Sequence, residues 1–513
     1  MRTTMHHVPQ TQSTAGGASA ALALSGLALI VILFGASTAA LDWDLQAVVL
    51  TALVPALLMF YDYRLGLALL IFILPFENAQ FLPKLGPLNA LNVLILGVVM
   101  SFLLNAAARA LTSRPLSVLV PRTVLLFYAL PVTVAAIVGA FHFKEMSIIY
   151  LLKAHPEGFK LSNYFVSDYF KHMLLVATAC VLASSVYEAR SGRRWIVVAC
   201  LAAMVFVAAQ VILTAATGIS ADELQRTRTF FLYLGRQNNE AGVMLVTAFG
   251  PLLFMREMVG SRWKRLALTL AALAVIGAIL LTGSRGAFVA MAGVLGIYLL
   301  HFRRLRTGFF VVTLVLAGVA LAPDAVQDRL LRGIEHQRIE SISSRGDELG
   351  AGRVYIWQNL APEVARSPLY GRGLLSTRWS TYVRSGAFSA NHPHNVYLEI
   401  LMDAGIYGAI CMFIFYRYAW RSFRRLGKDE RFAPGVRGYF LGASAGLAGM
   451  LIYGITNGHW YPAPEQVFFW LALGLAIGYT RIAQELPALV ALKPIKNPRR
   501  VRRPVGRLEP ALR

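Results

Sequence analysis

The chain has 513 residues, 57% of them hydrophobic and 15% charged, with a mean hydropathy of +0.57. These values exclude a soluble domain, because apolar runs of roughly 17–22 residues recur along the chain, the length that spans a bilayer. The formal net charge of +23 reads as basic loops on one membrane face and not as a nucleic-acid footprint.

In chain order, residues 1–19 are polar and read as a disordered N-terminus. No cleavable signal is evident, so the first apolar run reads as a retained anchor. About fourteen spans follow, at roughly 20–40, 45–61, 64–75, 88–108, 123–141, 172–187, 195–215, 240–256, 265–282, 286–301, 308–322, 395–418, 438–457 and 466–482. The third is short enough to be half of a re-entrant pair. The expected architecture is an all-α polytopic membrane protein: eleven helices over 20–322, a large helical loop at 323–394, three more helices over 395–482, and a basic tail at 483–513. Cys180, Cys200 and Cys411 lie in apolar runs, without disulfide or metal-ligand spacing. No internal repeat stands out, which argues against a transporter.

Lys and Arg set the orientation. Arg109, Arg114 and Arg122 share a loop, as do Arg190, Arg193 and Arg194, and then Arg256, Arg262, Lys264 and Arg265. The loop at 417–437 and the tail are also strongly basic. With fourteen spans and both termini cytoplasmic, all of these fall on one side. The other side then holds Asp42-Trp43-Asp44, residues 142–171, residues 216–239, the turn Thr-Gly-Ser-Arg-Gly at 282–286, and the loop 323–394.

Arginines on that outer side are exceptions to the charge rule. Arg285 sits in a tight turn between two apolar spans, at the membrane surface, where a guanidinium needs water or an anion. Its planar fork suits phosphate oxygens, although a snorkelling side chain would look the same. Arg236, in Gly-Arg-Gln-Asn-Asn directly before a span, lies at the same depth. Arg353 and Trp357 stand four apart on one helix face, either as a packing pair or as the wall of a sugar groove.

The loop closes with Asn-His-Pro-His-Asn-Val-Tyr-Leu-Glu at 391–399. Pro393 suits the first turn of a helix, and Asn391 or Asn395 suits its cap. His392 and His394 then sit at a helix N-terminus, which favours a neutral imidazole able to take a proton.

These motifs, with Ser-Pro-Leu-Tyr-Gly-Arg-Gly at 367–373 and Gly-Ile-Tyr-Gly at 405–408, resemble the O-antigen ligase and polysaccharide polymerase family of bacterial inner-membrane glycosyltransferases, over roughly residues 225–480. The resemblance implies a GT-C-like fold. It also implies inverting, metal-independent transfer of a glycan from undecaprenyl diphosphate to an acceptor hydroxyl on the periplasmic face. The acceptor would be a growing glycan, lipid A core or a protein side chain. By the same resemblance Arg236 and Arg285 would hold the diphosphate. His394, which directly precedes Asn395, would be the base, with His392 the second choice. Arg353 would contact donor or acceptor. No cofactor is expected, since the donor is already activated and no nucleotide-binding loop is found.

Two rivals remain at this stage. Asp42 and Asp44 could hold a divalent cation in a metal-dependent, lipid-linked glycosyltransferase. A transporter for lipid-linked glycans would also have many spans, but its ionisable groups should lie near the midplane, whereas Glu399 and Asp403 lie only one to three turns into their span. Within the family, polymerase and ligase are not separated by the residues.

Overall fold

The computed structural model describes residues 63–76, 84–85, 88–110, 117–146, 160–188, 193–216, 235, 237–303, 353–385 and 392–485, with isolated positions between 309 and 320. The spans expected at 20–40 and 45–61, most of 308–322, Asp42, Asp44, Arg236, Asn391 and the basic tail lie outside the described residues. Apart from loops and one antiparallel pairing of Lys84–Leu85 with Leu88–Asn89, the described chain is helical.

The helices are α1 (Tyr63–Ile73), α2 (Ala90–Ala110), α3 (Arg122–Glu145), α4 (Leu161–Glu188), α5 (Arg193–Ala216), α6 (Asn238–Met258), α7 (Arg262–Thr282), α8 (Arg285–Phe302), α9 (Arg353–Val364), α10 (Val396–Lys428), α11 (Pro434–Tyr453) and α12 (Pro464–Glu485). Among the described residues nine of these, α3–α8 and α10–α12, are long and apolar enough to cross a membrane. The chain is an all-α, multi-pass membrane protein.

Lipid tails are as apolar as leucine, so helices in a bilayer associate by close packing and not by hydrophobic exclusion. The sequence provides for this on α11, where Gly438, Gly442 and Gly446 recur every fourth residue and form one face. A Cβ on Gly442 would lie 2.3 Å from the Gly250 carbonyl oxygen, and one on Gly446 would lie 2.8 Å from that of Thr247. Helix α12 repeats the device on α4, with Gly474 against Ala179 and Gly478 against Ala183. Helices α6 and α12 are the most enclosed, each with 83% of its apolar window buried, against 33% for α8.

Helix α10 is broken at Gly405, whose φ of 63° and ψ of −161° interrupt the ladder. A break at membrane depth is tolerated only if protein satisfies the backbone groups it frees. The segment Ser367–Leu374 does so. Arg372 N–H donates to the Met402 carbonyl (2.7 Å) and Gly373 N–H to that of Asp403 (2.9 Å). In return, Ile406 N–H donates to the Pro368 carbonyl (2.9 Å) and Tyr407 N–H to that of Leu369 (3.1 Å). Asp403, fully buried, accepts from Leu375 N, Ser376 N, Ser376 Oγ and Trp460 Nε1 at 2.6–3.0 Å. The same loop is tied to α3 and α4 by Arg372 on Glu145 (3.0 Å) and Arg378 on Asp168 (2.7 Å).

Candidate functional site

The starts of α6, α8 and α10 and the end of α11 meet at one end of the bundle. Val396 N–H, the first of α10, donates to the Gly454 carbonyl (2.8 Å), which fixes these two helices end to end. Asn395 caps α10, its Oδ1 accepting from Tyr397 N and Leu398 N at 3.0 Å each. The helix therefore begins at Val396, and Pro393 lies before the cap and not in the first turn as its residue type suggested. His394 is left with φ +53°, a left-handed backbone that is uncommon outside glycine and is kept only where the surroundings enforce it. The enforcement is visible: His394 N–H donates to His392 Nδ1 (3.2 Å), and Trp357 Nε1–H donates to the Pro393 carbonyl (2.9 Å).

A chain of hydrogen bonds settles the His394 tautomer. Tyr453 O–H donates to the Asn239 carbonyl (2.7 Å), a group that can only accept. Its oxygen then accepts from Asn457 Nδ2 (3.0 Å), which turns Asn457 Oδ1 towards His394 Nδ1 at 3.0 Å. His394 Nδ1 must carry the proton, so the lone pair resides on Nε2. The same scaffold reaches the arginine turn. Ser284 Oγ bonds Asn239 Oδ1 (2.9 Å), Asn238 Nδ2 donates to the Thr282 carbonyl (3.2 Å), and Gly286 lies directly against Thr456 and the Tyr453 ring.

Arg285 is the first residue of α8, after Gly283 in a left-handed cap. Arg353 lies within its electrostatic reach. Burial lowers the Arg353 guanidinium from its ordinary value, Tyr453 opposes that effect, and Arg285 adds to it. Burial likewise holds His392 well below the ordinary imidazole value, with His459, His394, Arg353 and Arg378 pushing the same way. Burial opposes charge on His459 too, but the Glu399 carboxylate, 3.0 Å from its Nδ1, outweighs it, and the His459 imidazole is raised to about 9. At neutral pH, His392 is neutral and His459 is charged. The rings of His394 and His459 lie 4.0 and 4.6 Å from that of His392.

The structure thus brings together Arg285, Arg353, Trp357, His392 and His394. Arg236 lies outside the described residues, although Asn238 and Asn239, just beyond it, are part of the scaffold. Trp357 donates its indole N–H to the Pro393 carbonyl, which ties α9 to the His-Pro-His turn. Asn457, Tyr453, Glu399 and His459 belong to the same cluster and were not singled out from the sequence as site residues. The signal for two of them was present in Thr-Asn-Gly-His-Trp-Tyr at 456–461, a polar stretch carrying a histidine between two spans. His392, Glu399 and His459 each offer a ligand atom, all within 4.8 Å of one another.

Residues 269–413 match the family described as O-antigen ligase. This stretch of the chain carries an O-antigen ligase family domain. The match takes in Arg285, Arg353, Trp357, His392 and His394, and ends before Asn457 and His459. A domain of that family implies glycan transfer of the O-antigen ligase type, with a lipid-linked glycan and an acceptor as substrates in that general sense. No curated protein matches the chain.

Proposed function

We propose that the chain moves a glycan from undecaprenyl diphosphate to an acceptor hydroxyl at the periplasmic face of the bacterial inner membrane, with inversion and without a metal. The observation that carries this reading is the single hydrogen-bonded scaffold that joins the Arg285 turn to His394, with Arg353 in the same electrostatic neighbourhood. Two guanidiniums near an imidazole suit an incoming anion of more than one negative charge. A diphosphate leaving group is such an anion, and its charge grows as the glycosidic bond breaks. Arg285 and Arg236 hold it, and Arg353 contacts the donor beside them.

His394 takes the proton from the acceptor oxygen at Nε2 while that oxygen attacks the anomeric carbon from the face opposite the diphosphate. The Nδ1–H bond to Asn457 supports this tautomer. His392 is the poorer candidate, because its Nδ1 lone pair already accepts the His394 N–H and its proton then sits on Nε2. Trp357 holds the His-Pro-His turn and contributes a wall to the glycan path.

The wider reading is a GT-C-like bundle of about fourteen spans with both termini cytoplasmic. In it residues 20–322 and 395–482 are the two transmembrane blocks, 323–394 is the periplasmic loop, and 1–19 and 483–513 are the cytoplasmic ends. The product is either a polymerised repeat, which we favour, or a chain handed to lipid A core or a protein hydroxyl. Reconstituting the purified chain with a lipid-linked glycan and an acceptor, in excess chelator, tests the proposal: an inverted glycosidic product is expected. Product that appears only after metal is restored overturns metal independence, and no product under either condition overturns transfer. A null strain distinguishes the outcomes further, with single repeats left unjoined for a polymerase and long chains stranded on the carrier for a ligase.

A further inference from the structure

We infer that His392, Glu399 and His459 form an inhibitory binding site for a first-row transition-metal dication of the zinc type, beside the His394 base. The inhibition rests on the role proposed for His394; the binding does not. Two imidazoles, that of His459 releasing a proton to solvent as the ion binds, and a carboxylate are the donor set that borderline-soft dications prefer, whereas magnesium and calcium favour all-oxygen shells. The three ligand atoms lie within 4.8 Å of one another, so small side-chain movements would close them around one ion. Glu399 is almost fully buried and its Oε2 already accepts from Trp460 N (3.2 Å), the kind of outer contact that orients a metal-binding carboxylate. The three ligands come from the turn before α10, its first turn, and the loop after α11, which are fastened together by the Val396–Gly454 bond.

Occupancy would act on His394 through one hydrogen bond. His392 Nδ1 now accepts the His394 N–H. If Nδ1 binds the ion, that lone pair is used. If Nε2 binds it, the imidazole proton moves to Nδ1, which can no longer accept. Either way the bond that helps hold His394 at φ +53° is lost, and the base leaves its position.

The test uses the purified full-length chain, washed with chelator and then exposed to zinc chloride or cobalt chloride alone. Metal content and cobalt absorption should show one tightly held ion per chain. His392→Ala, His459→Gln and Glu399→Gln should each weaken binding roughly 10-fold or more, and His394→Ala should leave it intact. His459→Gln can keep a hydrogen bond to Glu399, so a folded, monodisperse variant that still binds the ion with wild-type affinity overturns the site. Zinc should also slow transfer by wild-type protein, reversibly with chelator. Binding with no slowing overturns the inhibitory claim alone. Slowing in a protein whose His394→Ala variant is as active as wild type overturns the role of His394 and leaves the metal site standing.

Discussion

Two turns of the same loop region reach the membrane-spanning helices, and they treat polarity in opposite ways. The Ser367–Ser376 segment enters the break in α10, where every freed backbone group described above finds a partner and Asp403 collects its donors from the loop and from Trp460. The 392–395 turn lies in the field of Arg353, which also feels Arg285, and holds a non-glycine residue left-handed. The first region closes on itself and is architecture. The second gathers two arginines, three histidines and a strained backbone at the ends of several helices. Both carry family-like motifs, so a motif alone does not distinguish a structural plug from a reacting site; the balance of its polar groups does.

Substitutions should separate the two regions by readout. The largest effect on turnover is expected from His394→Ala, a fall of roughly 10²–10⁴-fold in transfer rate with the thermal midpoint in detergent unchanged. Survival of transfer to within a few-fold would end the assignment of the base. Arg285→Ala should cost about 10²–10³-fold, also without loss of fold. Arg285→Lys should recover only part of that, because an ammonium lacks the two-pronged fit to phosphate oxygens. Gly371→Ala, in the plug, should behave in the opposite way. Gly371 has φ +69°, and its Cβ would lie 2.3 Å from the Asp403 carbonyl carbon. The variant should lose roughly 2–4 kcal/mol of stability, seen as a lower midpoint and poor yield, while the folded fraction retains its turnover.

The sequence made the first region hard to read and the second comparatively easy. Bilayer thickness imposes the length of an apolar run, so spans such as 195–215 and 265–282 agree with α5 and α7 to within a few residues. Hydropathy marks where a helix leaves the bilayer, however, and not where it ends. The span expected at 395–418 continues as helix to Lys428 through Arg417, Arg421, Arg424 and Arg425. The span expected at 438–457 ends at Tyr453, which places Asn457 in the loop where it can reach His394. The break at Gly405 leaves no local trace, because a glycine in an apolar helix is ordinary and its partners Pro368 and Leu369 are distant in the chain. Arg285 and His394 draw notice in the sequence because a charge in a tight turn between apolar runs and a histidine before a helix are local exceptions. Glu399 and His459 were not, since each makes sense only once the other is known to be beside it.

The smaller predictions probe how tightly the scaffold holds the base. Asn457→Ala should reduce turnover about 10-fold while leaving donor KM nearly unchanged, since Asn457 positions His394 and touches no substrate. Asn457→Asp is the sharper test of that role. A carboxylate against His394 Nδ1 would favour the protonated ring, and the base must be neutral to act. The acid limb of the rate profile should therefore move to higher pH, by about one unit or more. A purely structural role for Asn457 would lower activity at every pH without moving the limb.

Trp357→Phe should have the smallest effect and separates positioning from glycan contact. The substitution keeps an aromatic face and removes only the N–H that donates to the Pro393 carbonyl at 2.9 Å. One such bond is worth about 0.5–1.5 kcal/mol, so a loss of roughly 2–10-fold in turnover is expected if the bond serves to seat His394. The loss should appear in kcat and leave acceptor KM alone. A change confined to acceptor KM would assign Trp357 to the glycan path instead. The difference arises because a loosened turn misplaces the base for every substrate, whereas a lost stacking surface weakens binding without disturbing the proton transfer.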